Sequence, residues 1–135
     1  MSEETPVRGC LLDTHAAIFS MFQSKSLSAV VKATVATGPN FLSVVSYWEV
    51  MIKSMKGTLD VGDPRAWWFD ALEQLAATVL PLRAEHIAAV YGLAPIHKDP
   101  FDRMLIAQAT VEGLALVSGD AKIRRYASRT LRVVS

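Results

Sequence analysis

Four acidic residues occupy positions from which their carboxylates could act together. Asp13 and Asp120 each follow a short apolar run, whereas Glu49 and Asp102 each lie within the first turns of a predicted helix. Two like charges about 4 Å apart repel by about 4 kcal/mol at an effective dielectric constant of 20, so a tight cluster of such acids requires a cation. Oxygen ligands without cysteine or histidine favour hard ions such as Mg²⁺ or Mn²⁺.

A metal ion held by carboxylates is suited to cleaving phosphodiester bonds, because it activates a bound water and stabilises charge on the phosphate and the leaving oxygen. Each acid also has a plainer explanation. Asp13, Asp99 and Asp120 precede predicted helices and could cap them. Ser46 and Glu49 have the spacing of a capping box, which would turn the carboxylate towards the backbone. The residues alone leave both explanations open.

The elements that must position these acids are short apolar runs alternating with segments of helical periodicity. Strands are predicted at 9–12, 41–45, 78–82, 115–118 and 131–134, and helices at 14–22, 28–36, 46–55, 64–75, 84–93 and 101–112, with a short basic helix after 120. This order is typical of an α/β fold whose parallel sheet is covered on both faces. Ligands of such folds bind beyond the carboxyl ends of the strands. That rule places Asp13 and Asp120 at the site but does not place Asp102.

Composition narrows the class of protein. The chain of 135 residues is 51% apolar and 20% charged, which predicts one globular domain over 7–135 after a flexible polar tail at 1–6. The net charge of +1 gives no general attraction to nucleic acid or membrane. A single cysteine excludes an internal disulfide framework. The longest uncharged stretch, 33–48, is too short to span a bilayer, and the acidic N-terminus is unlike a secretory signal, so a cytoplasmic location is expected.

Several other polar residues lie beside the acids in the sequence. Thr14 and Ser118 could orient water molecules at a metal ion, and Arg103 is assigned a structural or electrostatic role. A lone histidine is more often a packed or hydrogen-bonded side chain than a catalytic one, so neither His15 nor His97 is assigned as a general base.

Four segments in combination resemble the PIN domain family. They are 11–15 (Leu-Leu-Asp-Thr-His), 46–50 (Ser-Tyr-Trp-Glu-Val), 97–108 (His-Lys-Asp-Pro-Phe-Asp-Arg-Met-Leu-Ile-Ala-Gln) and 116–120 (Leu-Val-Ser-Gly-Asp). From about Gly9 to Val134 the chain more narrowly resembles the VapC-type toxins of toxin–antitoxin pairs. The last segment has Ser-Gly-Asp where the family more often has Thr-x-Asp, which keeps the hydroxyl group.

The resemblance implies a three-layer α/β/α fold with a parallel sheet of about five strands in the order 3-2-1-4-5. It also implies an endoribonuclease dependent on Mg²⁺ or Mn²⁺, with Asp13, Glu49, Asp102 and Asp120 as both metal ligands and catalytic residues. The implied partners are RNA, a second copy in a homodimer, and a DNA-binding, VapB-like antitoxin. Two alternatives stay open: another metal-dependent phosphoryl hydrolase, and a PIN-like binding module without catalysis.

The end of the chain is basic, with five cations and no acid between residues 122 and 132. Lys122, Arg124 and Arg125 are candidates for contact with an RNA backbone, although a solvated helix face explains them equally well. Trp67 and Trp68 are adjacent, so one of them is expected to face the core and the other to be exposed.

Overall fold

A parallel sheet forms the centre of the protein in the computed structural model, which describes residues 7–135. Its strands are β1 (Cys10–Leu12), β2 (Asn40–Ser43), β3 (Ala77–Leu80), β4 (Ala115–Val117) and β5 (Val133–Val134). All neighbouring strands are parallel, and their order β3-β2-β1-β4-β5 confirms the expected topology. The tail expected at 1–6 lies outside the described residues.

Helices connect the strands and cover both faces of the sheet. They are α1 (Thr14–Phe22), α2 (Ala29–Thr37), α3 (Val44–Lys56), α4 (Pro64–Gln74), α5 (Ala84–Val90), α6 (Pro100–Glu112) and α7 (Ala121–Arg124), with a 3₁₀ turn at Ser24–Ser26. In the part of the chain that the structure describes, none of these helices has the length and apolar character needed to cross a membrane.

Two apolar cores lie on opposite faces of the sheet because successive residues of a strand point to opposite sides. Leu11 of β1 and Leu116 of β4 belong to one core with Ile106 of α6. Leu12 belongs to the other core, together with Trp67 of α4. This alternation over fully buried central strands confirms the three-layer α/β/α architecture.

Both tryptophans of α4 are buried, so the expectation that one of them is exposed was wrong. Trp67 is 2% exposed and Trp68 is 6% exposed. The Trp68 ring stacks on Tyr47 of α3 with centroids 4.7 Å apart and an interplanar angle of 8°. Because α4 contacts α1, α3 and β3, neighbouring positions of this helix both find apolar partners. The tryptophan that is exposed is Trp48.

Helix α3 begins two residues earlier than the sequence predicts, and this changes the role of Ser46. The N-cap is Ser43, whose Oγ accepts a hydrogen bond from the Val45 backbone at 3.0 Å. The Ser43 hydroxyl also donates to Oε1 of Gln108 on α6 at 2.6 Å, and the pair is buried. Ser46 therefore lies inside the helix, and the capping box expected between Ser46 and Glu49 does not form.

Candidate metal centre

The four acids predicted as metal ligands meet at the carboxyl edge of the sheet, where β1 and β4 are neighbours and the strand order reverses. Asp13 follows β1, and Asp120 comes shortly after β4. Asp102 lies in the first turn of α6. A helix that connects parallel strands runs antiparallel to them, so α6 begins at the edge where the strands end. Asp102 therefore reaches the site from the start of a helix, a position that the rule about the carboxyl ends of strands did not cover.

A cavity of about 480 Å³ opens at this edge, and Asp13, Asp102 and Asp120 form part of its wall. The rest of the wall is formed by His15, Ala16, Phe19, Ser26, Leu27, Ser28, Val31, Val117, Gly119, Arg124 and Ser135. Glu49 lines a smaller cavity, and His15 belongs to the walls of both. The four acids therefore line two cavities that share His15 in their walls.

Asp13 is both the N-cap of α1 and a member of the acidic cluster. Its Oδ1 accepts a hydrogen bond from the Ala16 backbone at 2.7 Å, and the side chain is buried. Burial raises the pKa of Asp13, against the hydrogen bonds from Ser118 and Ala16 that lower it, and the charge of Glu49 raises it further. The capping explanation and the metal-site explanation are therefore compatible at this position.

Glu49 is fully enclosed, and hydroxyl groups fix its carboxylate from the side of α1. Thr14 Oγ1 lies 2.7 Å from Oε1 of Glu49 and 2.9 Å from Oγ of Ser46. A hydroxyl has one proton, and the carboxylate is the stronger acceptor, so Thr14 donates to Glu49 and accepts from Ser46. Thr14 thus contacts a predicted ligand directly.

Lys53 is a member of the site that sequence reasoning missed. Its Nζ lies 2.6 Å from Oε2 of Glu49, one helical turn away. That hydrogen bond raises the pKa of Lys53, and the charges of Asp99 and Asp102 contribute in the same direction. The signal in the sequence was the Glu–Lys spacing of four residues, which joins side chains on one face of a helix.

Asp102 carries the strongest electrostatic signature of the cluster. Burial, followed by the charges of four neighbouring acids, raises the pKa of Asp102 to about 7. The neighbouring acids are Asp99, Glu49, Asp13 and Asp120. All four predicted ligands therefore lie close enough for their charges to interact. A bound cation reduces the repulsion between them.

Asp120 caps α7 with one carboxylate oxygen, which accepts from the backbones of Lys122 at 2.7 Å and Ile123 at 3.0 Å. Burial acts to raise the pKa of Asp120. The hydrogen bonds from Ile123 and Lys122, together with His97, outweigh burial and hold that pKa below its ordinary value. Asp120 is therefore the acid of the cavity wall that stays ionised most readily.

His97, which the sequence did not assign to the site, lies between two of the acids. Its Nε2 is 2.9 Å from Oδ2 of Asp102 and 3.5 Å from Oδ2 of Asp120. One ligand atom from each of these three residues lies within 4.8 Å of the others. Asp13 and Glu49 are not part of this tight group. Their carboxylates accept hydrogen bonds from Ala16 and from Thr14 and Lys53, respectively.

Arg103 points away from the acids and binds the segment that precedes α6. Its guanidinium donates to the carbonyl oxygens of Ala94 at 3.0 Å and His97 at 3.2 Å, and to the Tyr126 hydroxyl at 3.2 Å. This arrangement holds the loop that carries His97. Asp99, in the same segment, caps α6 as predicted.

The three candidate RNA-binding cations differ in their relation to the cavity. Lys122, Arg124 and Arg125 are all exposed on or next to α7. Arg124 lines the same cavity as the acids, whereas the other two lie outside its wall.

The donor set fits a hard divalent cation. It consists of carboxylate oxygens, which Mg²⁺ and Mn²⁺ prefer. Burial is the largest cause of the raised pKa values of Asp13 and Asp102, and the charges of neighbouring acids add to it. A dication bound by these oxygens would offset the repulsion between those charges. We therefore describe this edge as the candidate metal centre.

The order of the strands, the three layers and the acidic edge define an α/β protein with a candidate metal centre at its topological switch point. The profile of the PIN domain matches residues 10–129, and the chain belongs to this family. No curated protein is similar enough in sequence to count as a match.

Solved structures of known proteins are similar over nearly the whole chain. A toxin–antitoxin complex from Klebsiella pneumoniae is 19% identical with a TM-score of 0.63, covering 93% of this chain and 96% of that chain. FitAcB from Neisseria gonorrhoeae is 18% identical with a TM-score of 0.63, at 93% and 96% coverage. DNA-bound VapBC from Salmonella typhimurium is 16% identical with a TM-score of 0.63, at 92% and 95% coverage. At these identities the similarity establishes the fold.

Proposed function

We propose that this protein is a metal-dependent endoribonuclease and the toxin of a toxin–antitoxin pair. The observation that carries the proposal is the single cavity lined by Asp13, Asp102 and Asp120, with Glu49 close enough for its charge to raise the pKa of Asp102. Membership of the PIN domain family supports it. The similarity to structures described as toxin–antitoxin complexes supports the second part.

Asp13, Glu49, Asp102 and Asp120 would hold Mg²⁺ or Mn²⁺. When bound, such an ion lowers the pKa of water and stabilises the charge that develops on a phosphate during cleavage. The protein would hold the ligand carboxylates in fixed orientations. Backbone N–H groups at the starts of α1 and α7 hold Asp13 and Asp120, and the Thr14 hydroxyl holds Glu49. Ligands fixed in this way need little rearrangement when the ion binds.

The substrate in this proposal is RNA, whose phosphates require positive charge on the protein. Arg124 is the best placed cation, because it lines the cavity of the acids and is exposed. Lys122 and Arg125 would extend the contact along the RNA backbone. Ser118 would help keep Asp13 in place, because its hydroxyl group acts to lower the pKa of that acid.

We also propose that the protein forms a homodimer and binds a VapB-like, DNA-binding antitoxin in the cytoplasm. Similar structures include a VapBC complex bound to DNA. Several large apolar side chains are exposed and would be available to such partners. Examples are Phe22 at 58%, Phe69 at 68% and Met55 at 80% exposure.

The experiment that tests the nuclease is cleavage of RNA in Mn²⁺ by the wild type and by Asp13→Asn. The substitution removes a ligand charge and keeps a side chain that caps helices well. Cleavage should fall to background while the melting temperature in EDTA is retained. Asp70→Asn, at an exposed acid of α4, is the matched control and should cleave like the wild type.

Unchanged cleavage by Asp13→Asn would contradict the proposed mechanism. If the wild type binds Mn²⁺ but leaves RNA intact, the alternative of a binding module without catalysis is favoured. If it hydrolyses phosphate monoesters instead, the alternative of another phosphoryl hydrolase is favoured.

A further inference from the structure

We infer that His97 is a positioning residue of the metal centre, whose imidazole N–H holds the carboxylates of Asp102 and Asp120 in a shared orientation. The inference rests on the proposed metal site. It concerns a residue that touches both acids through its side chain and is itself only 10% exposed.

The protonation of the imidazole follows from its other nitrogen. The backbone N–H of Asp99 donates to Nδ1 of His97 at 3.2 Å. A backbone N–H can only donate, so Nδ1 presents its lone pair, and the ring proton must be on Nε2. His97 therefore directs an N–H group, and not a lone pair, towards the two acids.

The position of Nε2 suits a donor shared between two acceptors. It lies 2.9 Å from Oδ2 of Asp102 and 3.5 Å from Oδ2 of Asp120. It is buried, and among residues 7–135 it has no partner with hydrogen-bond alignment. The N–H is thus aligned with neither oxygen, although both lie at ion-pair distance from Nε2.

The same protonation argues against His97 as a metal ligand. An imidazole nitrogen binds a metal through its lone pair, and Nε2 has none while it carries the proton. Ligation would require the proton to move to Nδ1, which would break the hydrogen bond from Asp99. The metal centre would thus keep an all-oxygen donor set, while His97 would set the geometry of two of its members.

The backbone of His97 is fixed from two directions, as a positioning role requires. Its N–H donates to the Tyr126 hydroxyl at 2.9 Å, and its carbonyl accepts from Arg103 at 3.2 Å. The neighbouring Ile96 N–H also donates to Tyr126 at 3.1 Å. Arg103 therefore acts on the acids indirectly, through the residue that orients them.

Two substitutions of similar size distinguish the effect of the N–H group from the effect of side-chain volume. His97→Gln retains a terminal N–H donor on a side chain of similar reach, whereas His97→Met fills the space without a donor. We measure the affinity of the full-length chain for Mn²⁺ from the electron paramagnetic resonance signal of the free ion. His97→Met should raise the dissociation constant about tenfold, and His97→Gln should restore most of the affinity. Both variants should melt close to the wild type in EDTA.

Equal affinity of wild type and His97→Met would overturn the inference, and so would equal losses in the Gln and Met variants. Electron spin-echo modulation of the bound Mn²⁺ gives a second check. A directly coordinated imidazole nitrogen in the wild type would make His97 a ligand and refute the positioning role. A wild type that does not bind Mn²⁺ would overturn both the metal site and this inference. Because the readout is binding, a failure to cleave RNA would contradict only the proposed nuclease.

Discussion

Replacing Asp102 by asparagine should stabilise the metal-free protein at pH 8. Burial, followed by the charges of neighbouring acids, raises the pKa of Asp102 from its ordinary value of 3.8 to about 7. Between these values the folded chain keeps a proton that the unfolded chain releases, so the free energy of unfolding falls as the pH rises through this window. The stabilising contribution is complete below the lower value and lost above the higher one. Asparagine carries no charge, so the variant avoids that loss.

The magnitude follows from the two pKa values. A tenfold change in proton affinity corresponds to about 1.4 kcal/mol, so the full difference corresponds to about 4 kcal/mol. The Asp102 side chain is 17% exposed, and solvent screening reduces the cost of its charge. We therefore expect Asp102→Asn to raise the free energy of unfolding by about 2 kcal/mol at pH 8 and by almost nothing at pH 4.

The assay is urea unfolding in EDTA at both pH values, with Asp70→Asn as the control for removal of an exposed acid. Mn²⁺ should then reverse the order of stability at pH 8, because it stabilises the wild type more than a variant that lacks a ligand charge. The reasoning is refuted if Asp102→Asn is no more stable than the wild type at pH 8. It is refuted equally if the gain at pH 4 is as large.

Two further substitutions test the structure around the site. Lys53→Met removes the cation that neutralises buried Glu49, so the metal-free chain should lose about 1–3 kcal/mol in urea unfolding. The rise in melting temperature on adding Mn²⁺ should exceed that of the wild type, and an equal rise would show that Lys53 does not compete with the ion. Gly9 has a φ of +155°, and a Cβ there would lie 2.6 Å from the Pro39 carbonyl oxygen, so Gly9→Ala should destabilise the fold by about 2 kcal/mol. Gly92→Ala, with no atom closer than 3.9 Å, is its control and should stay within about 0.5 kcal/mol of the wild type. Similar losses in the two alanine variants would contradict the steric argument.

The sheet and the acids were predictable because both depend on local pattern. Short apolar runs ending at Asp13 and near Asp120 mark where buried strands stop, and parallel strands bring those ends to one edge. The start of α3 was misplaced, since Val44 and Val45 suit a strand as well as a helix. Ser43 caps the helix instead, and its hydroxyl also forms a buried bond to Gln108, a contact across 65 residues that no local pattern contains.

His97 was not predictable for a similar reason. Its approach to Asp120 joins residues on different elements. The approach depends on the loop conformation that Arg103 and Tyr126 fix through hydrogen bonds to the backbone. Sequence spacing shows that a histidine lies near an acid along the chain. Only the tertiary structure determines which nitrogen of its ring faces that acid.

The two competing explanations of the acids, helix capping and metal binding, turn out to use different oxygen atoms of the same carboxylate. In Asp120, Oδ1 accepts from the backbones of Lys122 and Ile123, and Oδ2 is the atom that faces His97. Capping thus fixes the rotation of the carboxylate and leaves its second oxygen directed at the site. Asparagine can cap with one oxygen but offers no second one. Asp120→Asn should therefore lower the melting temperature in EDTA only slightly, because the lowered pKa of Asp120 shows that its charge favours the fold, while it weakens binding of Mn²⁺. A large loss of stability in EDTA would mean that the charge of Asp120, and not only its capping oxygen, supports α7.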